Sequence, residues 1–356
     1  MKSSTGQYFI TLDHVRALAL FMVFAWHFTH GGHGSPVPYS YTPSLFPLAL
    51  LDEGYTGVSL FMTLSGYLFA KLLDGKQIKY GAFLWNRAIR LLPLLIVVII
   101  MKGIFLFLKG ESIASYVVSI GTGIILPTLP NGGWSITTEF HYYLLLPIFL
   151  WMVRKSRFLP LALIGAAMAV RFAIFHWHGE VQTFAYWTIA GRIDQFALGM
   201  LVFQFRSFFS RRHLLAIATL SLFFVFYGWF DRQGGFYHHP SYPSTSPIWV
   251  FLLTLEGLAY AIAIAWYDSS FTPSSDGISG FIAKIGTYTY SLYLLHFFVV
   301  FDMARFVHRH IMDISNFYWA VAWSAVCFIL IMPLGYLSFR FIESPFFKLR
   351  TSYVVK

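Results

Sequence analysis

The feature that most constrains this chain is an apolar stretch carrying two polar groups that a membrane interior disfavours. Residues 12–30 read LDHVRALALFMVFAWHFTH, and a helix needs about 20 mostly apolar residues to cross the hydrocarbon core of a bilayer. Arg16 can extend to the membrane interface, but the imidazole of His27, eleven positions further on, cannot. Eleven residues make about three helical turns, so both side chains project from one face. This polar stripe predicts a cavity inside a helix bundle.

The rest of the chain is similarly apolar. Of its 356 residues, 57% are hydrophobic and 11% are charged, whereas soluble domains carry about 25% charged residues. Repeated apolar runs near spanning length predict an all-α fold, a polytopic transmembrane helical bundle, because barrel strands would alternate over about 10 residues. The net charge of +10 indicates basic cytoplasmic loops. It also predicts anionic membrane lipids as partners. We expect no nucleic acid, since no soluble segment combines a basic stripe with stacking aromatic residues.

The apolar runs predict about ten spans in a single integral-membrane domain over residues 1–356. The predicted spans cover residues 12–30, 57–73, 83–108, 134–153, 159–176, 186–205, 214–230, 248–267, 281–304 and 317–341. The stretch 113–130 is ambiguous, because it is apolar but interrupted by Gly and Ser and closed by two prolines. It is predicted not to cross fully.

The positive-inside rule supports this topology, with both termini cytoplasmic. With ten spans, the basic clusters at 71–90, 154–157 and 206–212 and the basic tail all share the N-terminal side. The loops 31–47 and 231–247 then lie on the opposite side. Arg305 and Arg309 fall on the side that the rule disfavours.

Arg87 and Arg90 begin one of these spans and project to one side, because they are three positions apart. Two neighbouring guanidinium groups repel each other unless an anion bridges them, and phosphate is the anion that such forks bind best. The alternative is an ordinary pair of positive-inside residues that contacts lipid headgroups.

A carboxylate lies one turn inside another predicted span. Ser135 and Glu139 share a face in the segment that begins at Trp134, and Tyr143 continues that face. An intramembrane Glu is costly unless it is paired, so we expect Glu139 to face the bundle interior. The alternative is a carboxylate stabilised by the positive end of the helix dipole.

Further polar groups occur in later spans. Tyr293 and His296 are three positions apart and share a face, although a buried His is as often structural. Arg192 and Asp194 are two apart and need separate partners, which for Arg192 we predict to be Glu139. The remaining histidines lie in loops without matching carboxylates or thiolates, so no metal is expected.

These motifs follow one another along nearly the whole chain. They are Leu12-Asp13-His14-Val15-Arg16 with His27, Ser65-Gly66-Tyr67, Arg87-x-x-Arg90-Leu-x-Pro93, Trp134-Ser135-x-x-x-Glu139 with Leu146-Pro147, Tyr290-Ser291-x-Tyr293-x-x-His296 and Glu343-x-Pro345. The ordered set resembles the acyltransferase-3 family of membrane acyltransferases, which O-acylate cell-surface sugars and some other acceptors. We expect this chain to resemble the family's stand-alone members, which lack the fused periplasmic domain. His14 and Phe140 depart from the family's usual pattern.

The resemblance implies transfer of an acyl group from a cytoplasmic acyl-CoA, usually acetyl-CoA, to a hydroxyl of a glycan or lipid-linked sugar. It also implies a bacterial cytoplasmic membrane. Arg87 and Arg90 would then bind the CoA phosphates, and His27 would act as general base or as acyl carrier. Glu139 would orient His27 or bind sugar hydroxyls, and Arg16 would position the donor or stabilise the oxyanion. The predicted substrate-binding residues are Trp134, Ser135, Arg192, Tyr293 and His296.

Two other functions fit the same residues. A secondary transporter of a small anion or lipid-linked intermediate would also need intramembrane Arg, His and Glu side chains, although no inverted repeat is visible. Release of CoA that depends on an acceptor distinguishes an enzyme from a transporter. A non-catalytic membrane scaffold is the second alternative, and it predicts that His27→Ala changes neither ligand binding nor product.

Overall fold

The computed structural model describes residues 9–30 and 36–355 and is built almost entirely of helices. The α-helices are α1 (Ile10–His30), α2 (Ala49–Asp52), α3 (Gly57–Leu73), α4 (Tyr80–Leu108), α5 (Ile113–Thr122), α6 (Trp134–Lys155), α7 (Pro160–His178), α8 (Gln182–Trp187), α9 (Ile189–Gln204), α10 (Arg206–Phe209), α11 (His213–Arg232), α12 (Gly235–His238), α13 (Leu252–Ser270), α14 (Gly277–Thr287), α15 (Thr289–Leu295), α16 (Val300–Phe306), α17 (Phe317–Leu330) and α18 (Met332–Ser338). Short 3-10 helices cover Phe46–Leu48, Gly54–Thr56, Pro247–Val250, His296–Phe298 and Ser344–Leu349, and π-helical turns cover Val307–Ile311 and Phe339–Glu343. Two strands, β1 (Gln77–Ile78) and β2 (Val354–Val355), pair antiparallel.

Six helical segments of the described chain are long and apolar enough to cross a membrane. They are Gly54–Leu73, Tyr80–Leu108, Trp134–Lys155, Pro160–His178, His213–Arg232 and Phe317–Leu349. The pair Thr289–Phe298 and Val300–Ile311, bent by 58°, makes a seventh if it is one broken span. The predicted helical membrane fold is therefore confirmed. The count of ten spans, the cytoplasmic termini and the single domain remain predictions.

The ambiguous stretch 113–130 does not form a spanning helix. α5 has 10 residues, which rise only about 15 Å, whereas the hydrocarbon core is about 30 Å thick. Turns follow α5 as far as α6. This agrees with the prediction that the stretch does not cross fully.

Segments that were predicted to share one side of the membrane meet at one end of the bundle. Arg206 lies 3.4 Å from Asp74, and Arg154 donates a hydrogen bond to the Lys76 carbonyl. The pairing of β1 with β2 brings the C-terminal segment to the same place. We call this the basic end.

The two loops predicted for the opposite side also meet. The Thr42 hydroxyl donates to the Asp231 carbonyl at 3.3 Å, and the ring of Tyr39 stacks on His30, the last residue of α1. Residues 31–35 of the first loop lie outside the described residues. We call this the loop end, and α1 runs towards it from the basic end.

The outer surface is apolar and the interior contains buried charge. Large apolar side chains are exposed along α4, for example Ile96, Ile100 and Ile104. Inside, Arg171 and Asp194 are fully buried and form an ion pair of 2.6 Å. Asp194 thus pairs with Arg171 and not with Arg192, as expected for two residues that are two positions apart on a helix. In lipid, this arrangement leaves hydrocarbon outside and satisfies polar groups within the protein.

Close helix crossings hold the interior together. α1 packs against α3, α13, α14, α15, α16 and α17, and α3 packs along α9. At the crossing of α3 and α9, a Cβ on Gly66 would overlap the Phe196 carbonyl oxygen, and one on Gly199 would overlap that of Thr63. Small residues allow membrane helices to approach closely, and here they fix the position of α3 beside α9.

We predict that Gly199→Ala destabilises the protein by about 1–3 kcal/mol, because the new methyl group must push apart two packed backbones. The control is Gly165→Ala in α7, where a Cβ meets no atom within 4 Å. Thermal unfolding of both purified variants in detergent measures the effect. Equal midpoints for the two variants would show that the α3–α9 crossing is not tightly packed.

Candidate active site

Polar residues selected from the sequence line two separate cavities. The first has a volume of about 100 Å³ and lies towards the basic end; we call it the arginine cavity. Its polar lining comprises Arg16, Ser65, Arg87, Arg90, Ser135, Glu139, Tyr143, Thr289, Tyr290 and Tyr293. The structure thus brings together six of the ten predicted site residues around one space.

Arg87 is buried among aromatic rings in this cavity. Its guanidinium carbon lies 5.6 Å from the ring centres of Phe69 and Phe83 and 5.9 Å from that of Tyr143. Its Nε has no partner among the described residues, where neither Arg87 nor Arg90 forms an ion pair. Buried polar groups nearly always have a partner, so this arrangement suits an anionic ligand.

The other charged groups of the arginine cavity have partners within their own helices. Arg16 pairs with Asp13 on α1, and Tyr143 donates a hydrogen bond to Glu139 on α6. Their charges are therefore fixed in position before any ligand arrives.

The second cavity lies towards the loop end, has a volume of about 300 Å³, and we call it the aromatic cavity. It is lined by His27 and by a continuous set of rings: Trp26, Tyr39, Tyr55, Trp134, Tyr186, Trp187, Phe236, Tyr237, Tyr293, Phe297 and Phe301. Burial and the neighbouring Tyr39 raise the pKa of Tyr237, so its hydroxyl stays protonated. The lining rings present flat apolar faces to the cavity, and their hydroxyl and indole N–H groups are hydrogen-bond donors at the ring edges.

His27 contacts a second histidine. His27 Nδ1 lies 2.9 Å from the Val23 carbonyl oxygen and 3.3 Å from His296 Nε2. His296 Nδ1 in turn lies 2.7 Å from the Tyr293 carbonyl oxygen. Carbonyl oxygens only accept hydrogen bonds, so this network assigns a proton to each Nδ1. His27 Nε2 is then the nitrogen without a proton, and it makes no hydrogen bond within the described chain.

Tyr293 stands between the two cavities. Tyr293 and Val58 line both spaces. The Tyr293 hydroxyl receives a hydrogen bond from Ser135 at 2.9 Å and donates to the Gly132 carbonyl at 3.2 Å. Gly132 has a φ of 73°, and a Cβ there would lie 3.0 Å from Phe297. The Asn131-Gly132-Gly133 turn therefore fits the start of α6 tightly against Tyr293.

Arg192 lies behind the aromatic cavity and does not line it. Its guanidinium carbon is 4.3 Å from the ring centre of Tyr186 and 5.4 Å from that of Trp134. Its nitrogens donate to the Tyr186 carbonyl, to Ser59 at 3.2 Å and to Gln195 at 3.1 Å. Arg192 thus supports two lining rings.

Two predicted contacts of Glu139 are wrong. Arg192 does not pair with Glu139, because Glu139 faces the arginine cavity and bonds to Tyr143. The buried carboxylate linked to Arg192 is that of Glu256, through Ser59. Glu139 does not orient His27 either, since the described hydrogen bonds of His27 go to Val23 and His296.

Sequence reasoning did not foresee several functional contacts. The contact between His27 and His296 joins residues 269 positions apart, and nothing in either local sequence indicates it. Phe236 and Tyr237 of the loop 231–247 line the aromatic cavity. Trp26, which directly precedes His27 in the sequence, also lines it.

Comparisons with known proteins give the context of these cavities. Residues 9–336 match the acyltransferase-3 family model, described as an acyltransferase domain. The chain is 24% identical to "Peptidoglycan O-acetyltransferase OatA" of Listeria monocytogenes over 385 residues, which covers 95% of this chain and 56% of that protein. It is 27% identical to BcsY of Komagataeibacter xylinus, provisionally named a membrane-bound transacylase, over 45% of this chain and 47% of that protein.

The chain spans about half the length of the curated relatives that it matches. No solved structure matches it significantly.

The assigned protonation of His27 can be tested without any assumption about substrates. Diethyl pyrocarbonate reacts with an unprotonated imidazole nitrogen that it can reach. We predict that it modifies His27 well before His296, whose Nε2 is buried against His27. Peptide mass spectrometry of the same digest measures both sites, with exposed His238 as the reactive reference. Equal protection of His27 and His296 would contradict the assignment.

Proposed function

Because this chain belongs to the acyltransferase-3 family, we propose that it transfers an acyl group from an acyl-CoA at the arginine cavity to a hydroxyl at the aromatic cavity. The family establishes a membrane acyltransferase. Acetyl-CoA as donor, a glycan or lipid-linked sugar as acceptor, and the bacterial cytoplasmic membrane as location are our proposals.

The observation that carries the proposal is the meeting of the two cavities at Tyr293 and Val58. Unpaired arginines on one side suit the phosphates of a CoA thioester, since guanidinium groups bind phosphate as paired forks. An unprotonated imidazole nitrogen on the other side suits a hydroxyl that must lose its proton. A donor from the basic end and an acceptor from the loop end can thus react inside the bundle.

The proposed reaction uses His27 Nε2 as general base. The acceptor hydroxyl gives its proton to His27 Nε2 while its oxygen bonds to the thioester carbonyl carbon. The C–S bond then breaks, and the leaving thiolate takes the proton back from the imidazolium, which yields an ester and free CoA. His296 keeps His27 in the required tautomer and is a positioning residue. The Ser135 side chain, which contacts Tyr293 between the two cavities, is the proposed donor near the developing oxyanion, and Arg16 is assigned to positioning the acyl donor.

Support for a sugar acceptor comes from the rings of the aromatic cavity and from one relative. Aromatic faces and phenolic hydroxyls complement the apolar faces and hydroxyl edges of a pyranose ring. OatA is named for action on peptidoglycan, which is a glycan. Trp134, supported by Arg192, and Tyr237 are the side chains we assign to acceptor binding.

We predict that His27→Ala lowers acceptor-dependent CoA release by about 100-fold or more, because the general base is lost. Binding of acetyl-CoA should persist, since His27 does not line the arginine cavity. Thiol release by purified protein, with and without a surface-glycan extract, measures the rate. The control is His238→Ala, an exposed histidine in the loop 231–247. Wild-type protein that binds no CoA thioester would contradict the proposed function and favour the transporter.

We further predict that Tyr237→Ala raises the acceptor KM by about two- to ten-fold, because one stacking surface is lost. The donor KM should not change. Tyr336→Ala, at an exposed ring of α18, is the matched control. Titration of a defined oligosaccharide at saturating acetyl-CoA measures the effect. An unchanged acceptor KM would remove the aromatic cavity as the acceptor site.

A further inference from the structure

The last described residues of the chain are fixed to the start of α4. Thr351 exchanges two hydrogen bonds with Asn86, of 2.6 and 3.0 Å, and Trp85 Nε1 donates to the Leu349 carbonyl at 3.1 Å. β2 pairs with β1 just before α4. The family model match ends at residue 336, so this segment lies beyond it. The structure therefore attaches residues outside the family match beside Arg87.

Arg350 lies in this segment directly before Thr351, whose partner Asn86 precedes Arg87 on α4. The guanidinium carbon lies 3.5 Å from the ring centre of Phe347, which fixes its position. Burial, with the like charges of Arg90 and Arg87, lowers the pKa of Arg350 to about 10. At neutral pH the Arg350 side chain is still charged. Three positive groups thus come together at the basic end.

Unsatisfied polar atoms are concentrated at this place. Of the ten buried side-chain atoms without a partner in the described chain, four belong to Arg87, Arg350 and Tyr353. The four are Arg87 Nε, Arg350 Nε, Arg350 Nη2 and the Tyr353 hydroxyl. All four can donate a hydrogen bond. Several buried donors without acceptors indicate a ligand that brings acceptor oxygens.

The nearby carboxylates do not supply the missing acceptor oxygens. Glu343 accepts a hydrogen bond from Ser291, and Glu139 accepts one from Tyr143. Neither forms an ion pair within 4 Å of an arginine in the described chain. The three arginines therefore carry an excess of positive charge that a multiply charged anion would balance.

We propose that Arg350 is the third arginine of the donor site and binds the ribose 3′-phosphate of the acyl-CoA, while Arg87 and Arg90 bind the pyrophosphate. The proposal rests on the proposed function. Arg87 and Arg90 line the arginine cavity, whereas Arg350 does not and follows the span Phe317–Leu349. Arg350 is therefore further from Tyr293, on the side where the phosphate most distant from the thioester would lie.

The test compares acetyl-CoA with 3′-dephospho-acetyl-CoA, which lacks only the proposed ligand of Arg350. Dissociation constants are measured for wild type and Arg350→Gln, purified in dodecyl maltoside, a detergent without phosphate. We expect wild type to prefer acetyl-CoA by about ten-fold or more, and Arg350→Gln to lose that preference, since a charge-assisted hydrogen bond is removed. Arg350→Lys should restore part of it.

The control is Lys348→Gln, which removes a positive charge from the exposed surface of the same segment. It should keep the preference for acetyl-CoA. The ratio of the two affinities is measured on one preparation, so it does not depend on how much of a variant is folded.

The outcomes separate the two proposals. If wild type binds neither thioester, the proposed function is wrong. If wild type binds acetyl-CoA and Arg350→Gln keeps the same preference, the donor site stands and the role of Arg350 is wrong. An unchanged preference in Arg350→Gln is also the result expected if Arg350 binds the phosphate of a lipid headgroup, because dodecyl maltoside has no phosphate.

Discussion

The structure depends on one constraint: charge inside a membrane bundle must be satisfied by the protein itself, because hydrocarbon offers no hydrogen bonds. The fully buried pair of Arg171 and Asp194 meets it directly, and Arg192 meets it through hydroxyl, amide and carbonyl acceptors. These networks fix helices in place. Arg87 forms no ion pair in the described chain and lines the arginine cavity, and His27 lines the aromatic cavity. Charged groups with protein partners thus hold the helices together, whereas these two side chains face the cavities.

The two cavities address a geometric problem of membrane acyl transfer. In the reaction that we propose, the acyl-CoA donor and the glycan acceptor approach from opposite sides, so their reacting atoms would meet inside the bundle. The ring of Tyr293 lies where they would meet, held by Ser135 and by the carbonyl of Gly132. Its fixed hydroxyl separates an arginine-rich space from one lined by rings. Only the acyl group and the acceptor oxygen need to come together at this point, so neither substrate has to cross the membrane.

Much of the fold and part of the site could be predicted from the sequence, because periodicity and hydropathy are local properties. The shared face of Arg16 and His27 predicted an interior cavity, and both side chains do line cavities. Contacts between distant helices could not be predicted in this way. The partner of His27 is His296, and that of Arg192 is not Glu139, because neither relation follows from spacing along one helix. Arg350 was overlooked because the positive-inside rule already explains a basic tail.

The bond between Thr351 and Asn86 also constrains how the protein is made. These residues are 265 positions apart in the chain. α4 therefore enters the membrane long before the C-terminal segment that bonds to it is synthesised. Until then the start of α4 lacks the strand pairing and hydrogen bonds that fix it. Closure of this long loop is slow and entropically costly relative to local helix formation. The basic end can therefore reach its final form only after the C-terminal segment has been synthesised.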